Sequence, residues 1–434
     1  MPLSRTDAPN AAAACVYVAW LTAFPMSGVL LQGMGDMLWF LMPHTLALFA
    51  LGHGSDPARS RVRIPGAAAL LLTALLTAAA PLVTLPTGTL LVLLGIISAP
   101  VSLRMGQHLG AAERPVPTAA LALAAGNLLA LALILTPLPD PLRFLLLALS
   151  LAFLAPEPRI PPPASPPRPR LYTYLPFILV FQLVSGLMYA GLLPAYAAHA
   201  ALPGIEVTFY GLGALGAVVV LQRFDPAVTL LGGVIAALTA FSLWHLAPTG
   251  FGVQGALFLM MIAAGTVDLF LLSRVLAEGN LQAAYGRGVG TLCLGIVLGR
   301  LLALSAGEAA DTLAFIGLML LNLSALILVL PLKRHQAGVD ETPPTPAPAD
   351  IPGEILQRLS EQERLVLEQV LGDKTYREIA SGLSISESSV KTYMHRIYRK
   401  TGVYRRHQLL QQLRAPESGP SREIEETRET EETA

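Results

Sequence analysis

The chain has 434 residues, of which 53% are hydrophobic and 13% charged, with a mean hydropathy of +0.58. Soluble domains carry about 25% charged residues, so this composition excludes an ordinary soluble protein and points to the membrane. The formal net charge of zero conceals segregation: residues 335–434 hold nearly half of the 29 lysines and arginines and over half of the 29 acids.

The start, MPLSRTDAPNAAAAC, has one arginine and no apolar run ahead of its small residues, so residues 11–31 read as a retained first span rather than a cleaved signal. A spanning helix needs about 20 mostly apolar residues. Windows of that kind recur near 11–31, 36–52, 65–81, 83–102, 116–135, 141–155, 171–193, 205–222, 227–247, 251–273, 288–306 and 311–332, which makes twelve, the second and sixth being short. Cytoplasmic loops carry the excess of basic residues. With the N-terminus inside, the cytoplasmic side receives Arg5, Arg59, Arg61, Arg63, Arg104, Arg114, Arg159, Arg168, Arg170, Arg223, Arg274, Arg287, Lys333 and Arg334. The opposite loops receive Asp36, Asp140, Glu206, Glu308 and Asp311, with Arg143 as their nearest cation. That alternation predicts both termini in the cytoplasm of a bacterial inner membrane.

Residues 156–170, PEPRIPPPASPPRPR, are a stiff proline-rich connection that divides the bundle into halves at 1–155 and 171–334. Six plus six spans, with Gly52 and Asp56 spaced as in a Gly-x-x-x-Asp loop, resemble the major facilitator superfamily. The resemblance rests on topology more than motif, since Pro57 and Arg59 depart from the loop pattern.

Ionisable residues inside spans are costly and mark candidate sites. Asp268 and Arg300 are the two clearest, read either as a mutual ion pair that fixes packing or as part of a ligand or proton site. His44, Asn127, Gln182, Tyr189, His245 and Gln254 read as interhelical hydrogen-bond partners. Both cysteines, Cys15 and Cys293, lie in apolar windows, so no disulfide framework, metal site or cofactor is expected. No nucleophile–base set or phosphate loop is apparent, and the chain is not expected to be an enzyme.

Residues 335–353 are polar and proline-rich, a flexible connection able to reach roughly 50 Å when extended. Beyond it, 354–414 reads as a small helical domain. Ser360 with Glu363, and Thr375 with Glu378, are capping boxes that open helices over about 361–371 and 376–382. Ser386 caps a third helix, about 387–401, with Val390, Met394 and Ile397 inward. A fourth, about 406–413, buries Leu409, Leu410 and Leu413. Two helices joined by a tight turn inside a small helical domain is the helix-turn-helix layout.

The third helix carries the functional reading. Its outward face bears Ser388, Lys391, Thr392 and His395, and from Val390 to Arg414 there are seven lysines and arginines and no acid. Such a helix fits a major groove, with Lys391 reaching base edges and Arg396, Arg399, Lys400 and Arg406 reaching phosphates.

The order of residues then resembles the LuxR/GerE-type helix-turn-helix domain. The matching stretches are L-S-x-x-E at 359–363, V-L at 366–367, E-I-A at 378–380, L-x-I-S-E at 383–387, V-K at 390–391, I-Y-R-K at 397–400, G-V at 402–403 and Arg406. The resemblance implies base contacts at Lys391, Thr392 and His395, backbone contacts at Ser386, Ser389 and Lys400, and a homodimer on a two-fold symmetric site in double-stranded DNA. Gln362, Asp373, Tyr393 and Thr401 depart from the pattern without removing the groove-facing set. The acidic tail 415–434 reads as a disordered solubility segment, with competition for the basic face as the sharper alternative.

The sequence therefore predicts an all-α protein: a polytopic bundle of about twelve spans in the lipid bilayer, then a four-helix DNA-binding domain. The expected function is a membrane-bound one-component regulator whose bundle senses an unidentified small molecule or membrane signal. The alternative is a facilitator-type transporter with a regulatory terminal module.

Overall fold

Long apolar runs without internal charge have no way to satisfy their backbone in lipid except as helices, and helices are what they form. A computed structural model describes residues 7–26, 29–31, 35–53, 66–83, 87–158, 171–200, 202, 204–224, 226–337, 359–372, 374–383, 385–401 and 409. Among these every regular element is helical. The expected linker beyond residue 337, the acidic tail, Asp56, Asp373 and Arg406 lie outside the described residues.

The chain divides into two compact units, 1–336 and 337–434. The first contains α1 (Asp7–Ala23), α2 (Leu38–His53), α3 (Gly66–Ala79), α4 (Thr87–Ala111), α5 (Pro115–Leu135) and α6 (Asp140–Ser150). It continues with α7 (Leu171–Ala197), α8 (Glu206–Arg223), α9 (Pro226–Leu246), α10 (Gly250–Val275), α11 (Leu281–Ala306) and α12 (Ala310–Ala337). Each helix falls on one of the twelve apolar windows. Among the described residues α4, α5, α7, α9, α10 and α11 are long and apolar enough to cross a bilayer, while α2, α3 and the Ala310–Leu323 part of α12 are apolar but shorter. Outward-facing side chains such as Leu46, Leu82, Leu149, Leu246 and Phe251 are exposed. Water would penalise so much apolar surface, whereas lipid does not. The unit is a multi-span membrane bundle.

Several boundaries differ from the hydropathy windows, most at the end of α4: the fourth window ends at residue 102, yet α4 runs on to Ala111. Arg104 is buried, and its guanidinium donates to the carbonyl of Ala155. A charge with an internal acceptor does not need to leave the helix.

The packing repeats itself. In the first half α1 packs on α5 and α4 on both α2 and α3; six helices later, α7 packs on α11 and α10 on both α8 and α9. The halves meet through α2 against α11 and α5 against α8, two contacts that the same shift of six exchanges. The α2–α11 seam is close: a Cβ at Gly286 would lie 2.5 Å from the Leu48 carbonyl oxygen and 2.6 Å from the Cα of Gly52.

The second unit contains α13 (Glu361–Leu371), α14 (Tyr376–Gly382) and α15 (Glu387–Thr401). Both expected capping boxes form, Ser360 with Glu363 and Thr375 with Glu378. They fix where α13 and α14 begin and satisfy amides that a helix start leaves bare. Val366, Leu367, Val370, Ile379, Val390, Met394 and Ile397 make one small core with Leu359, Ala380 and Leu409. Of the expected fourth helix only Leu409 is described; it is helical and buried.

Candidate functional site

Two places concentrate polar chemistry, one in each unit. In the second unit the Ser386 hydroxyl accepts from the Ser389 amide at 3.0 Å and lies 2.8 Å from the Ser389 hydroxyl, closing the start of α15. Val390, Met394 and Ile397 then point into the core with exposures of 0–1%, which fixes the rotation of the helix. Ser388, Lys391, Thr392, His395, Arg396 and Arg399 are left exposed along the opposite face. A helix about 10–12 Å across fits the roughly 12 Å major groove, and this face carries three of the seven lysines and arginines between Val390 and Arg414.

These side chains are held to different degrees. Lys391 Nζ lies 3.6 Å from Glu387 Oε1, with both side chains more than half exposed. Exposed pairs of that kind hold weakly, so the Lys391 ammonium is only loosely held. The Thr392 hydroxyl donates to the Ser388 carbonyl at 3.0 Å, which turns its donor inward along the helix. Arg396 lies over the Tyr393 ring at 5.9 Å.

Lys400, which the sequence predicts to face phosphate, also has a partner inside the domain: it donates to Glu363 Oε2 at 2.6 Å. The Glu363 side chain is only 3% exposed and the same oxygen also accepts from the Ser360 amide at 2.8 Å. Burial alone would raise the Glu363 carboxyl, but Lys400 and the Ser360 amide outweigh it and hold the group below the usual carboxylate value. A buried carboxylate without its cation is strongly destabilising, so Lys400 ties α13 to α15.

In the bundle the anticipated ion pair between Asp268 and Arg300 does not form. Arg300 Nη2 meets Asp36 Oδ2 at 3.0 Å, linking α11 to the chain just before α2. Asp268 Oδ1 accepts from Gln182 Nε2 at 2.6 Å and Oδ2 from the Tyr210 hydroxyl at 2.8 Å. The separation follows from helix length. Asp268 lies seven residues before the end of α10 at Val275, and Arg300 lies nineteen after the start of α11 at Leu281. At about 1.5 Å per residue, two helices joined by a short turn set these residues roughly 18 Å apart along the axis. Asp36 was the missed partner. The signal for it existed: topology places Asp36 and the far end of α11 on the same side of the membrane.

The other polar residues in the spans are interhelical ties. His44 Nδ1 lies 2.9 Å from the Gly95 carbonyl oxygen and 3.1 Å from Ser98 Oγ, tying α2 to α4. Asn127 accepts from Thr22 at 3.3 Å, Gln254 donates to the His199 carbonyl at 3.1 Å, and His245 Nε2 meets Asp311 at 3.5 Å. Tyr189 donates to Met261 Sδ at 3.7 Å.

Comparison with known proteins agrees with this division. Residues 357–413 match the family model for bacterial regulatory proteins of the luxR family. No curated protein matches the chain by sequence. Among solved structures, the major facilitator superfamily transporter FucP in its outward conformation aligns with a TM-score of 0.52 at 10% identity, over 74% of this chain and 99% of that one. A bacterial homologue of the iron transporter ferroportin in its outward-facing state aligns with a TM-score of 0.48 at 13% identity, over 74% and 97%. The nucleoside transporter NupG gives 0.48 at 14%, over 74% and 98%. The chain thus joins a facilitator-like membrane bundle to a LuxR-type DNA-binding domain.

Proposed function

We propose that this chain is a membrane-bound one-component transcriptional regulator, acting by binding rather than catalysis. A signal or ligand taken up by the bundle biases its conformation, and the terminal domain, working as a homodimer from the cytoplasmic face of the inner membrane, reads promoter DNA. The observation that carries the reading is the exposed face of α15, where Ser388, Lys391, Thr392, His395, Arg396 and Arg399 project from a luxR-family domain on the same chain as the bundle. Coupling of about 1–3 kcal/mol between the bundle and DNA suffices for a 5–150-fold change in promoter affinity.

A second reading is favoured by the facilitator-like fold: the bundle transports, and the terminal domain regulates or scaffolds it. Truncation at residue 350 separates the two, provided the shortened chain is shown to remain in the membrane. A regulator loses its transcript changes as completely as a full deletion does. A transporter keeps its uptake or efflux phenotype, and that outcome would overturn the regulator.

A further inference from the structure

Gln182, Ser185 and Tyr189 follow one another on one face of α7 at spacings of three and four residues. Asp268 and Met261 stand seven residues apart on one face of α10. The two faces are joined by two rungs: Gln182 Nε2 to Asp268 Oδ1 at 2.6 Å, and the Tyr189 hydroxyl to Met261 Sδ at 3.7 Å. Seven residues of helix place the rungs roughly 10 Å apart. Between them lies Ser185, 1% exposed, whose hydroxyl has no hydrogen-bond partner among the described residues. Tyr210 of α8 closes the charged end, its hydroxyl 2.8 Å from Asp268 Oδ2.

Each feature asks for something. Asp268 receives two neutral donors but no cation within ion-pair range among the described residues, although a carboxylate offers about four acceptor sites. An intramembrane carboxylate is costly without a counter-charge. Ser185 is a donor held away from water with nothing to donate to, itself a cost of about 1–3 kcal/mol. The Tyr189–Met261 end is aromatic and polarisable. Asp268, Tyr189, Tyr210 and Met261 are each part-exposed, whereas Gln182 and Ser185 are buried.

We infer that this ladder is a binding site for an amphiphilic organic amine: a protonated nitrogen at Asp268, an acceptor at Ser185, and an aromatic or alkyl body ending at Tyr189 and Met261, about 10 Å away. As the input of a regulator the site rests on the function proposed above; as a binding site it does not.

Tetracaine, an amine with an ester acceptor ahead of a butylamino-substituted ring, is a suitable probe, and butyl 4-aminobenzoate is a counterpart without the charge. Equilibrium dialysis against the full chain in nanodiscs, corrected for empty nanodiscs, gives the affinities. Asp268→Asn, which keeps the shape, weakens tetracaine by about tenfold, the worth of a charge-assisted hydrogen bond, and leaves the uncharged ester unchanged. Ser185→Ala, remote from the Asp268 hydrogen bonds, weakens it by about threefold. Equal tetracaine affinity in wild type and Asp268→Asn overturns the proposal, as does binding of the uncharged ester as tight as tetracaine. So does absence of tetracaine binding combined with tryptophan emission that follows pH only while Asp268 is present, which makes the site a proton site. Tetracaine binding that obeys these variants but leaves transcription unchanged keeps the site and contradicts the regulator instead.

Discussion

Lys391 and Arg396 share the exposed face of α15, and the proposed function gives them different terms of DNA affinity. A side chain at a base edge discriminates sequence, whereas one at a phosphate adds affinity that falls with salt. Lys391→Ala should cost about 1–3 kcal/mol on the preferred site and relax selection at one base position. Arg396→Ala should weaken all sequences alike and reduce the salt slope by about one. Electrophoretic or fluorescence titrations over a series of salt concentrations distinguish them. Lys400 has a second task inside the domain, where it is bonded to Glu363. Glu363→Gln should destabilise the domain by about 2 kcal/mol through that lost charge-assisted bond. The sign of the pH effect follows from the lowered Glu363 value. Its stabilisation is complete above the unfolded-state value and is lost as pH falls through the lower folded value. Hydrogen exchange of the α13 amides in the intact chain should show protection falling with pH in wild type, and a lower, flatter profile in Glu363→Gln.

At the level of elements, the α2–α11 seam is the tightest test of the bundle. Gly286→Val places atoms against the Leu48 carbonyl and Gly52, where backbone rather than a flexible side chain stands in the way. Overpacking of this kind costs about 1–3 kcal/mol or more. Gly232→Ala meets nothing within 4 Å, so thermal denaturation in detergent should fall by several degrees for the first and hardly move for the second. The helices themselves were legible in the sequence because lipid leaves a long apolar run no other conformation, and because Ser360–Glu363 and Thr375–Glu378 announce their starts. The inward stripe of α15 was legible from period alone. Partners were not. Periodicity says which face of α7 is buried but not that Gln182 meets Asp268, and a pairing such as Asp36 with Arg300 spans 264 positions of sequence. The end of α4 escaped for a related reason: the acceptor that keeps Arg104 inside the helix, the Ala155 carbonyl, comes from a distant segment.

For the whole molecule, the shift of six that maps α1–α5 onto α7–α11 also exchanges α2–α11 with α5–α8. A bundle built from two equivalent halves around two equivalent seams has a natural way to hold two arrangements, each stabilised by different contacts. A ligand shifts such an equilibrium only by its difference in affinity for the two. The Asp36–Arg300 pair crosses the α2–α11 seam and so favours the arrangement in which these ends are together.

The most direct test of that account is genome-wide occupancy of the intact, membrane-inserted chain, measured by chromatin immunoprecipitation beside Lys391→Ala/His395→Ala at matched membrane levels. The account predicts discrete promoter peaks sharing a two-fold symmetric sequence, lost in the double variant while the bundle stays in place. Peaks that survive the double variant, or an intact chain with no specific peaks, would contradict it.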